Sequence, residues 1–396
     1  MSRTPSIERV VVRLFLAGDC MPARGVDCVL PYPLDDARAF LRETCCRHAR
    51  DYVRLALDAS ALSSAPRHTF TSLLGDLLDE KRRRAPCFSM VNLETALTST
   101  SDDFWLGKPV CYRASERNGI GLLETLGVDC VTIANNHALG FSLRGFEDTV
   151  RALEASETLD FVGGGLNADE AFRWRRFESG GVSALGVCFE NSGVPREWRA
   201  TSSAPGLALM TADDDVRRLL STVREEKRRH PSSTIIVSCH WGSNWGWDVS
   251  PTIEHLARRL VESGCDIVHG HSSHHPRRCE LYEDKLIVYG CGELLNDYEG
   301  IGDHAGFPAA TFAGDLRFAY FPEYDVLDAS ARRVFARMDI VAFRQANCFA
   351  LKRADADAVE RVRRALAPQY ALGGLRLERD ARAATLVATP TRVVKR

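Results

Sequence analysis

The chain of 396 residues is predicted to adopt an α/β fold. Short apolar runs of strand type alternate with longer segments of helical spacing, which is typical of parallel strands connected by helices. Acidic, amide or imidazole residues also stand directly after several apolar runs, where α/β proteins expose their functional groups. Five such motifs predict one composite active site: Gly18-Asp19, Asn92-Leu93-Glu94, Asn135-Asn136-His137, His240-Trp241-Gly242 and Gly270-His271-Ser272-Ser273-His274-His275-Pro276.

In the first half of the chain, each predicted strand leads to one of these motifs. The apolar run Val10–Ala17 precedes Asp19, and the run Cys87–Val91 precedes Glu94. The run 130–134 leads directly to the Asn-Asn-His motif. Helical spacing predicts helices between these strands over residues 35–57, 70–83, 120–126 and 143–156.

The second half continues the alternation. Strands are predicted over 182–189, 235–239, 267–268 and 286–289, with helices over 213–229 and from Pro251. His240 and His271 each follow a buried strand. From Leu316 the apolar runs become shorter, with a helix predicted over 354–366. We therefore expect one main domain over 1–315 and a C-terminal extension over 316–396 that packs on the same domain.

Composition excludes several classes of function. The chain is 45% hydrophobic and 26% charged, with a net charge of −2, so no nucleic acid and no membrane is expected as a partner. The first thirteen residues lack the apolar core of a signal peptide, and no segment reaches the ~20 apolar residues of a membrane span. The thirteen cysteines include no CxxC pair. These features predict a cytoplasmic protein with reduced thiols.

The polar residues of the five motifs are of the types that bind divalent metals. Carboxylate and amide oxygens suit harder ions, whereas imidazoles suit zinc, manganese or iron. In this order the motifs resemble those of the CapA family, the poly-γ-glutamate-associated proteins built on the calcineurin-like metallophosphoesterase fold. The matching stretches run from Gly18 to beyond Asp297 and also include Tyr289-Gly290-Cys291-Gly292.

The resemblance implies a four-layer αββα sandwich of the metallo-dependent phosphatase type, with the site at the C-terminal strand ends. It places His137 where an imidazole assists the leaving group. It also places six residues at metal-ligand positions: Asp19, Glu94, Asn136, His240, His271 and His274. Substrate binding is expected from the segment after the Glu and from nearby tryptophans: Lys108, Tyr112, Arg113, Trp241 and Trp245.

Three departures from the pattern bear on the metal. The Asp-x-His pair of metallophosphoesterases is replaced by Asp19-Cys20-Met21, and Gly140 stands where the family commonly has an acid. The Gly-Asp near the end of the motif set is Gly292-Glu293. We therefore expect no cofactor, with one or two divalent ions (manganese, iron or zinc) as the alternative.

Without a metal, the same residues can act as general acids and bases. The preferred hypothesis is epimerisation at a Cα of a peptide or peptide-like substrate, as implied by resemblance to the CapA-like branch that includes a lasso-peptide C-terminal epimerase. Its expected catalytic residues are Asp19, Cys20, Glu94, His137 and His271. Two alternatives stay open. One is a metal-dependent phosphoester or amide hydrolase or a poly-γ-glutamate biosynthesis protein, and the other is a non-catalytic polymer- or peptide-binding protein. The sequence leaves the oligomeric state open.

Overall fold

The computed structural model describes residues 10–35, 41, 43, 46–100, 104–304, 306–327, 333–380 and 384–391. Its helices are α1 (Gly25–Val29), α2 (Ala49–Asp58), α3 (Phe70–Arg84), α4 (Glu116–Leu126), α5 (Ser142–Glu154), α6 (Ala168–Ala171), α7 (Asp213–Arg229), α8 (Pro251–Glu262) and α9 (Ala356–Leu372). Within the described part of the chain, no helix combines the length and the apolarity needed to cross a bilayer.

The strands follow in chain order. They are β1 (Val10–Cys20), β2 (Phe88–Leu93), β3 (Ala96–Leu97), β4 (Arg113–Ala114), β5 (Cys130–Thr132), β6 (Asp160–Val162), β7 (Gly164–Gly165), β8 (Arg175–Phe177), β9 (Val182–Phe189), β10 (Gly206–Leu207), β11 (Leu209–Met210), β12 (Thr234–His240), β13 (Ile267–His271), β14 (Cys279–Tyr282), β15 (Lys285–Val288), β16 (Glu293–Leu295), β17 (Asp303–His304), β18 (Phe307–Pro308), β19 (Arg317–Val326), β20 (Arg333–Ala346), β21 (Ala350–Arg353), β22 (Leu375–Asp380) and β23 (Thr385–Pro390).

Two large sheets organise the chain. The ten-stranded sheet has the order β22-β23-β20-β19-β1-β2-β5-β6, with β16 beside β1 and β21 beside β20. The seven-stranded sheet has the order β11-β9-β12-β13-β15-β14, with β8 beside β9. The neighbours β1, β2, β5 and β6 are parallel, as are β9, β12, β13 and β15. The structure thus confirms the mixed α/β class that the sequence predicts.

Three apolar clusters hold these elements together. One lies between the ten-stranded sheet and helices α2 to α5 and contains Phe15 and Phe146. A second contains residues of both sheets, including Leu16 and Ile236. A third joins the seven-stranded sheet to helices α7 and α8 and contains Leu260. Because the parallel strands are covered on both faces, their sequences are apolar throughout rather than alternating.

The C-terminal region continues the larger sheet. Strand β19 runs antiparallel beside β1, with Leu16 opposite Tyr320, and β20 pairs with β19. Helix α9 contacts the other sheet, where the hydroxyl of Tyr370 lies 3.1 Å from the Cys279 thiol. Residues from Arg317 onwards therefore add strands directly to the sheet that carries β1.

The structure corrects the helix predicted over 35–57. Helix α2 begins only at Ala49, and Leu41, Glu43 and Cys46 are not helical; residues 36–40 lie outside the described part of the chain. His48 ends the preceding segment, because its ring accepts a hydrogen bond from the next helical turn and its own N–H donates to Asp51 Oδ2 at 3.0 Å. This reciprocal cap defines the start of the helix. Helices α3 and α7 match their predicted ranges within one residue.

Candidate active site

Three buried side chains from the two sheets meet at the C-terminal strand ends. Asp19 lies at the end of β1 in the ten-stranded sheet, whereas His240 and His271 end β12 and β13 in the seven-stranded sheet. One ligand atom from each residue lies within 4.8 Å of the others. The two sheets are bonded together at this level, since His269 Nε2 lies 2.9 Å from Ala17 O. The fold thus juxtaposes residues that are far apart in sequence.

A chain of hydrogen bonds fixes the tautomer of His271. Burial lowers the pKa of His269 to about 4, so its ring is neutral and its Nε2–H donates to the Ala17 carbonyl. His269 Nδ1 then accepts from the Ser238 hydroxyl at 3.0 Å, which leaves the Ser238 oxygen to accept from His271 Nε2–H at 3.0 Å. His271 is also neutral, because burial lowers its pKa well below the usual range. Its Nδ1 therefore carries a lone pair.

That lone pair faces the other two residues. His271 Nδ1 lies 3.0 Å from His240 Nδ1 and 3.7 Å from Asp19 Oδ1. Fixing a ligand histidine through its second nitrogen is how proteins orient imidazoles toward metals. The arrangement therefore aims His271 at the space shared with Asp19 and His240.

Two amides position the Asp19 carboxylate. Asn92 Nδ2 donates to Asp19 Oδ1 at 2.8 Å, and Asn135 Nδ2 donates to Asn92 Oδ1 at 3.0 Å. Asn135 also donates to the Leu93 carbonyl at 2.8 Å. Asp19 Oδ2, in contrast, is buried and has no hydrogen-bond partner among the described residues. One carboxylate oxygen is thus held and the other is left available.

The donor set fits one divalent ion. Asp19 Oδ2 and His240 Nε2 are both buried polar atoms that lack a partner in the described structure. Such groups are costly unless a ligand satisfies them. One carboxylate with two imidazoles is a common set for zinc, iron or manganese. Asp19, His240 and His271 would therefore hold the metal, and the expectation of a cofactor-free site is not favoured by these residues.

A second carboxyl group adjoins this triad. The carboxyl groups of Asp19 and Glu94 lie close enough to interact electrostatically. Burial raises the pKa of both, and the negative charge of Asp19 raises the pKa of Glu94 further. His137 Nε2 lies 3.8 Å from Glu94 Oε1. Burial and nearby Lys108 lower the pKa of His137 well below its usual range, so its ring is neutral.

The other two residues expected as metal ligands lie beside the triad. Asn136 Oδ1 is buried without a described partner, and the Asn136 carbonyl accepts a hydrogen bond from Lys108 Nζ. His274 is paired with Glu293, whose Oε1 lies 2.6 Å from His274 Nδ1. Although burial opposes charge, Glu293 raises the pKa of His274. His274 therefore belongs to an ion pair at the edge of the site.

Some of the residues expected to bind substrate line the site in the structure, whereas others contact only the rest of the protein. The ring of Tyr112 stacks on His137, and Lys108 Nζ lies 5.2 Å from the ring centroid of Trp198. Arg113 is buried, donates to the Thr100 carbonyl and packs on Phe141. Lys108 and Tyr112 therefore line the site, whereas the contacts of Arg113 are within the protein.

Two expectations need correction. Trp241 does not line a pocket: it is 3% exposed, donates from Nε1 to Tyr289 O at 3.0 Å and packs in the third apolar cluster. Cys20 packs in the first cluster, and burial raises the pKa of its thiol to about 12, which disfavours the expected catalytic role. Trp245, however, is partly exposed and packs near His274, with ring centroids 5.3 Å apart.

Sequence reasoning did not assign functional roles to Asn92, Asn135, Ser238 and Glu293. Ser238 stands two residues before His240, and in a strand this spacing puts both side chains on one face. His269 and His271 show the same spacing in the neighbouring strand. That alternation is a signal from which the hydrogen-bonded chain could have been found.

Fold and site together define an α/β protein with a buried carboxylate and imidazole centre where two sheets meet. The model of the bacterial capsule synthesis protein family PGA_cap matches residues 13–298, and the chain belongs to this family. This confirms the resemblance to CapA proteins.

Named relatives show the same relationship. A probable polyglutamine synthesis accessory protein of Mycobacterium tuberculosis is 38% identical over 330 residues, covering 80% of this chain and 81% of the relative. The capsule biosynthesis protein CapA of Bacillus anthracis is 26% identical over 47% of this chain and 44% of its own. The PGA biosynthesis protein CapA of Bacillus subtilis is 26% identical over 54% of each chain.

Proposed function

We propose that this chain is an enzyme that cleaves or transfers an amide bond of a glutamyl polymer or a related peptide. The observation that carries the proposal is the hydrogen-bonded chain from Ala17 O to His271, which aims a neutral imidazole lone pair at Asp19. Burying these polar groups costs free energy, and an arrangement of this kind can hold the groups of a reaction centre in place. The names of the relatives support the class of substrate.

The chain's own residues supply proton transfer. A divalent ion held by Asp19, His240 and His271 would act as a Lewis acid toward the substrate carbonyl. Burial and the charge of Asp19 raise the pKa of Glu94, which favours its protonated form. Neutral His137, 3.8 Å from Glu94, is placed to pass a proton to the departing amine. His137 thus acts as the general acid and Glu94 as its proton source.

Lys108 is the residue of this site suited to bind a carboxylate of the substrate. Its ammonium group approaches the Asn136 carbonyl and lies near Glu94, at the side of the site that carries His137. Burial lowers the pKa of Lys108 to about 8, so the group is still largely charged at neutral pH. Every residue of a glutamyl polymer offers a carboxylate, and an ammonium with free N–H donors binds such groups well.

The four-layer αββα arrangement with this site at the strand ends forms part of the proposal. Its support is the three apolar clusters, which lie between helices and the larger sheet, between the two sheets, and between the smaller sheet and helices. In such an arrangement the loops after the parallel strands share one edge.

Epimerisation at a Cα is the second candidate function. The observation that favours it is the neighbouring pair of buried carboxyl groups, Asp19 and Glu94, which places a base and an acid side by side. An ionised Asp19 can remove a Cα proton, and the protonated carboxyl group of Glu94 can return one. This chemistry requires no metal.

One experiment separates the two functions. Protein purified without chelator is analysed for metal and incubated in deuterated water with γ-linked and α-linked glutamyl oligomers and with a peptide. The products are followed by mass spectrometry. Amide cleavage or transfer that depends on about one bound metal per chain supports the first function. Deuterium at one Cα without cleavage, in metal-free protein, supports the second.

A matched pair of variants tests the assignment of the site. His240→Ala is expected to abolish metal binding and cleavage, whereas His255→Ala, which removes an exposed histidine of α8, is expected to leave both unchanged. If neither cleavage, transfer nor deuterium incorporation occurs with any substrate, the proposed enzymatic function is wrong.

A further inference from the structure

A cavity with charged residues in its wall lies at the opposite edge of the sheets, where parallel strands begin. It has a volume of about 500 Å³ and is lined by the first residues of β12, β15 and β20, which are Thr234, Lys285 and Arg333. Strand β12 has seven residues from Thr234 to His240. At a rise of ~3.3 Å per residue, the cavity lies about 20 Å from the reaction centre. It is therefore a separate site.

Two lysines of this cavity share one carboxylate. Asp266 Oδ2 lies 2.8 Å from Lys227 Nζ, and Asp266 Oδ1 lies 2.5 Å from Lys285 Nζ. Asp266 Oδ2 also accepts the backbone N–H of Ile235 at 2.9 Å. Both oxygens of Asp266 are thus engaged. Each ammonium has three N–H donors, and Lys227 Nζ uses one more of them on Ser233 O at 3.0 Å. The carboxylate holds the two cations at the cavity wall with donor capacity to spare.

Two further residues with polar groups belong to the wall. Arg333 donates from Nη1 to the Thr234 hydroxyl, but its Nε is buried with no hydrogen-bond acceptor in the described structure. Tyr324 is 5% exposed, and its hydroxyl is likewise buried without a described partner. Arg333 nevertheless adds a third cation to the cavity wall. Arg333 and Tyr324 belong to the larger sheet, whereas Lys285 belongs to the smaller sheet and Lys227 to helix α7.

We propose that this cavity binds a small organic anion with one carboxylate or phosphate-type group. The titratable side chains of the wall comprise three cations, Lys227, Lys285 and Arg333, against Asp266 and the exposed Asp284, besides the buried Tyr324. Since Asp266 is already engaged, the remaining donors favour a negative ligand.

The size and the apolar wall of the cavity indicate what the ligand contains besides its anionic group. A volume of about 500 Å³ is that of a small-molecule site rather than of a lone ion. Pro231 and the ring of Tyr324 provide apolar wall beside the charged groups. The ligand therefore combines an anionic group with a compact apolar body.

Isothermal titration calorimetry tests the proposal on the full chain. Phenylphosphonate and benzoate serve as probes of the two anionic groups, with phenol as the uncharged control. We expect saturable binding of at least one anion and none of phenol. Arg333→Met is expected to weaken this binding about tenfold or more, which is about 1.4 kcal/mol. Arg376→Met, which removes an exposed arginine of β22, is the matched control and is expected to bind as the native chain does.

Further variants distinguish anion binding at the cavity from anion binding at the reaction centre. His240→Ala, altered only at the reaction centre, is expected to retain anion binding. If His240→Ala loses binding and Arg333→Met keeps it, the anion occupies the reaction centre and the proposal is overturned. Absence of saturable binding of both anions overturns it as well. If Arg333→Met does not fold, Tyr324→Phe and Lys285→Met decide, and unchanged binding in both refutes the site. None of these outcomes depends on the proposed enzymatic function.

Discussion

The imidazole of His137 lies against the ring of Tyr112, with ring centroids 3.9 Å apart and planes 19° from parallel. The Tyr112 hydroxyl is hydrogen-bonded to that of Tyr298 at 2.8 Å. The backbone N–H of His137 donates to Asn135 Oδ1 at 3.0 Å. These contacts orient the imidazole from its face and from its backbone, and Nε2 faces Glu94 as a result.

The first prediction concerns catalysis by His137. In His137→Ala, turnover is expected to fall about 10²–10⁴-fold, the usual contribution of a general acid. The chain is expected to stay folded, because His137 Nδ1 has no partner among the described residues and only the stack on Tyr112 is lost. Such a stack contributes about 1 kcal/mol. Steady-state kinetics and a thermal melt check both expectations, with His255→Ala as the control. Unchanged turnover would remove His137 from the reaction.

The composition of the triad could be predicted because it depends on strand ends. Asp19, His240 and His271 each follow an apolar run, and the parallel strands of each sheet present their ends at one edge. Helix α7 was also predictable, since its charged and apolar residues repeat with helical spacing over Asp213–Arg229. The strand ends and the helix can both be predicted from residues that are close together in the sequence.

The rest depends on contacts between distant segments. Nothing near Trp241 indicates that its indole N–H donates to Tyr289 O, which places it in the core. Arg24 forms ion pairs with Asp297 and Glu43, and neither partner is marked by spacing in the sequence. The antiparallel pairing of β19 with β1 likewise joins segments about 300 residues apart. Periodicity carries no information about such pairings.

The second prediction concerns stability at Arg24. Its guanidinium is 3% exposed, pairs with Asp297 and Glu43, and lies 3.9 Å from the ring centroid of Tyr52. Arg24→Met is expected to lower the free energy of unfolding by about 3–5 kcal/mol, because it leaves two buried carboxylates unpaired. Arg54→Met removes a pair with Asp51 whose arginine side chain is 75% exposed, so a loss of about 0.5 kcal/mol or less is expected.

Urea denaturation measures both variants. The double variant Arg24→Met, Asp297→Asn is expected to recover part of the loss, since one of the unpaired carboxylates becomes neutral. Equal losses for Arg24→Met and Arg54→Met would contradict the structural role of the buried pair.

The third prediction concerns acid stability at Asp215. Hydrogen bonds from Arg199 and from Thr211 hold the pKa of this carboxyl well below its ordinary value. Because the pKa is lower in the folded chain, the stabilisation is complete above the unfolded pKa of about 3.9. It is lost as pH falls through the lower folded value. Asp215→Asn is therefore expected to lower the free energy of unfolding at neutral pH by about 1–3 kcal/mol.

The difference in the free energy of unfolding between Asp215→Asn and the native chain is expected to become smaller as pH falls below about 4. Denaturation at a series of pH values measures it. The control is Asp214→Asn on the same helical turn, whose side chain is 69% exposed and pairs with Arg217. A difference that stays constant down to acidic pH would show that Asp215 contributes by packing and not by charge.

The last prediction concerns the loop that carries Trp245 to the edge of the site. Arg277 holds this loop, because its Nη1 donates to Asp248 O at 2.6 Å and its Nη2 donates to Ser243 O at 2.9 Å. The indole then lies parallel to the ring of His275, with centroids 5.9 Å apart. Lysine cannot reproduce the fork of the guanidinium. If the loop binds substrate away from the reacting atoms, as proposed for Trp245, KM in Arg277→Lys is expected to rise about tenfold while kcat changes little. Trp245→Leu is expected to reproduce this pattern without altering the Arg277 contacts. A fall in kcat at constant KM in both variants would instead place the loop in the chemical step.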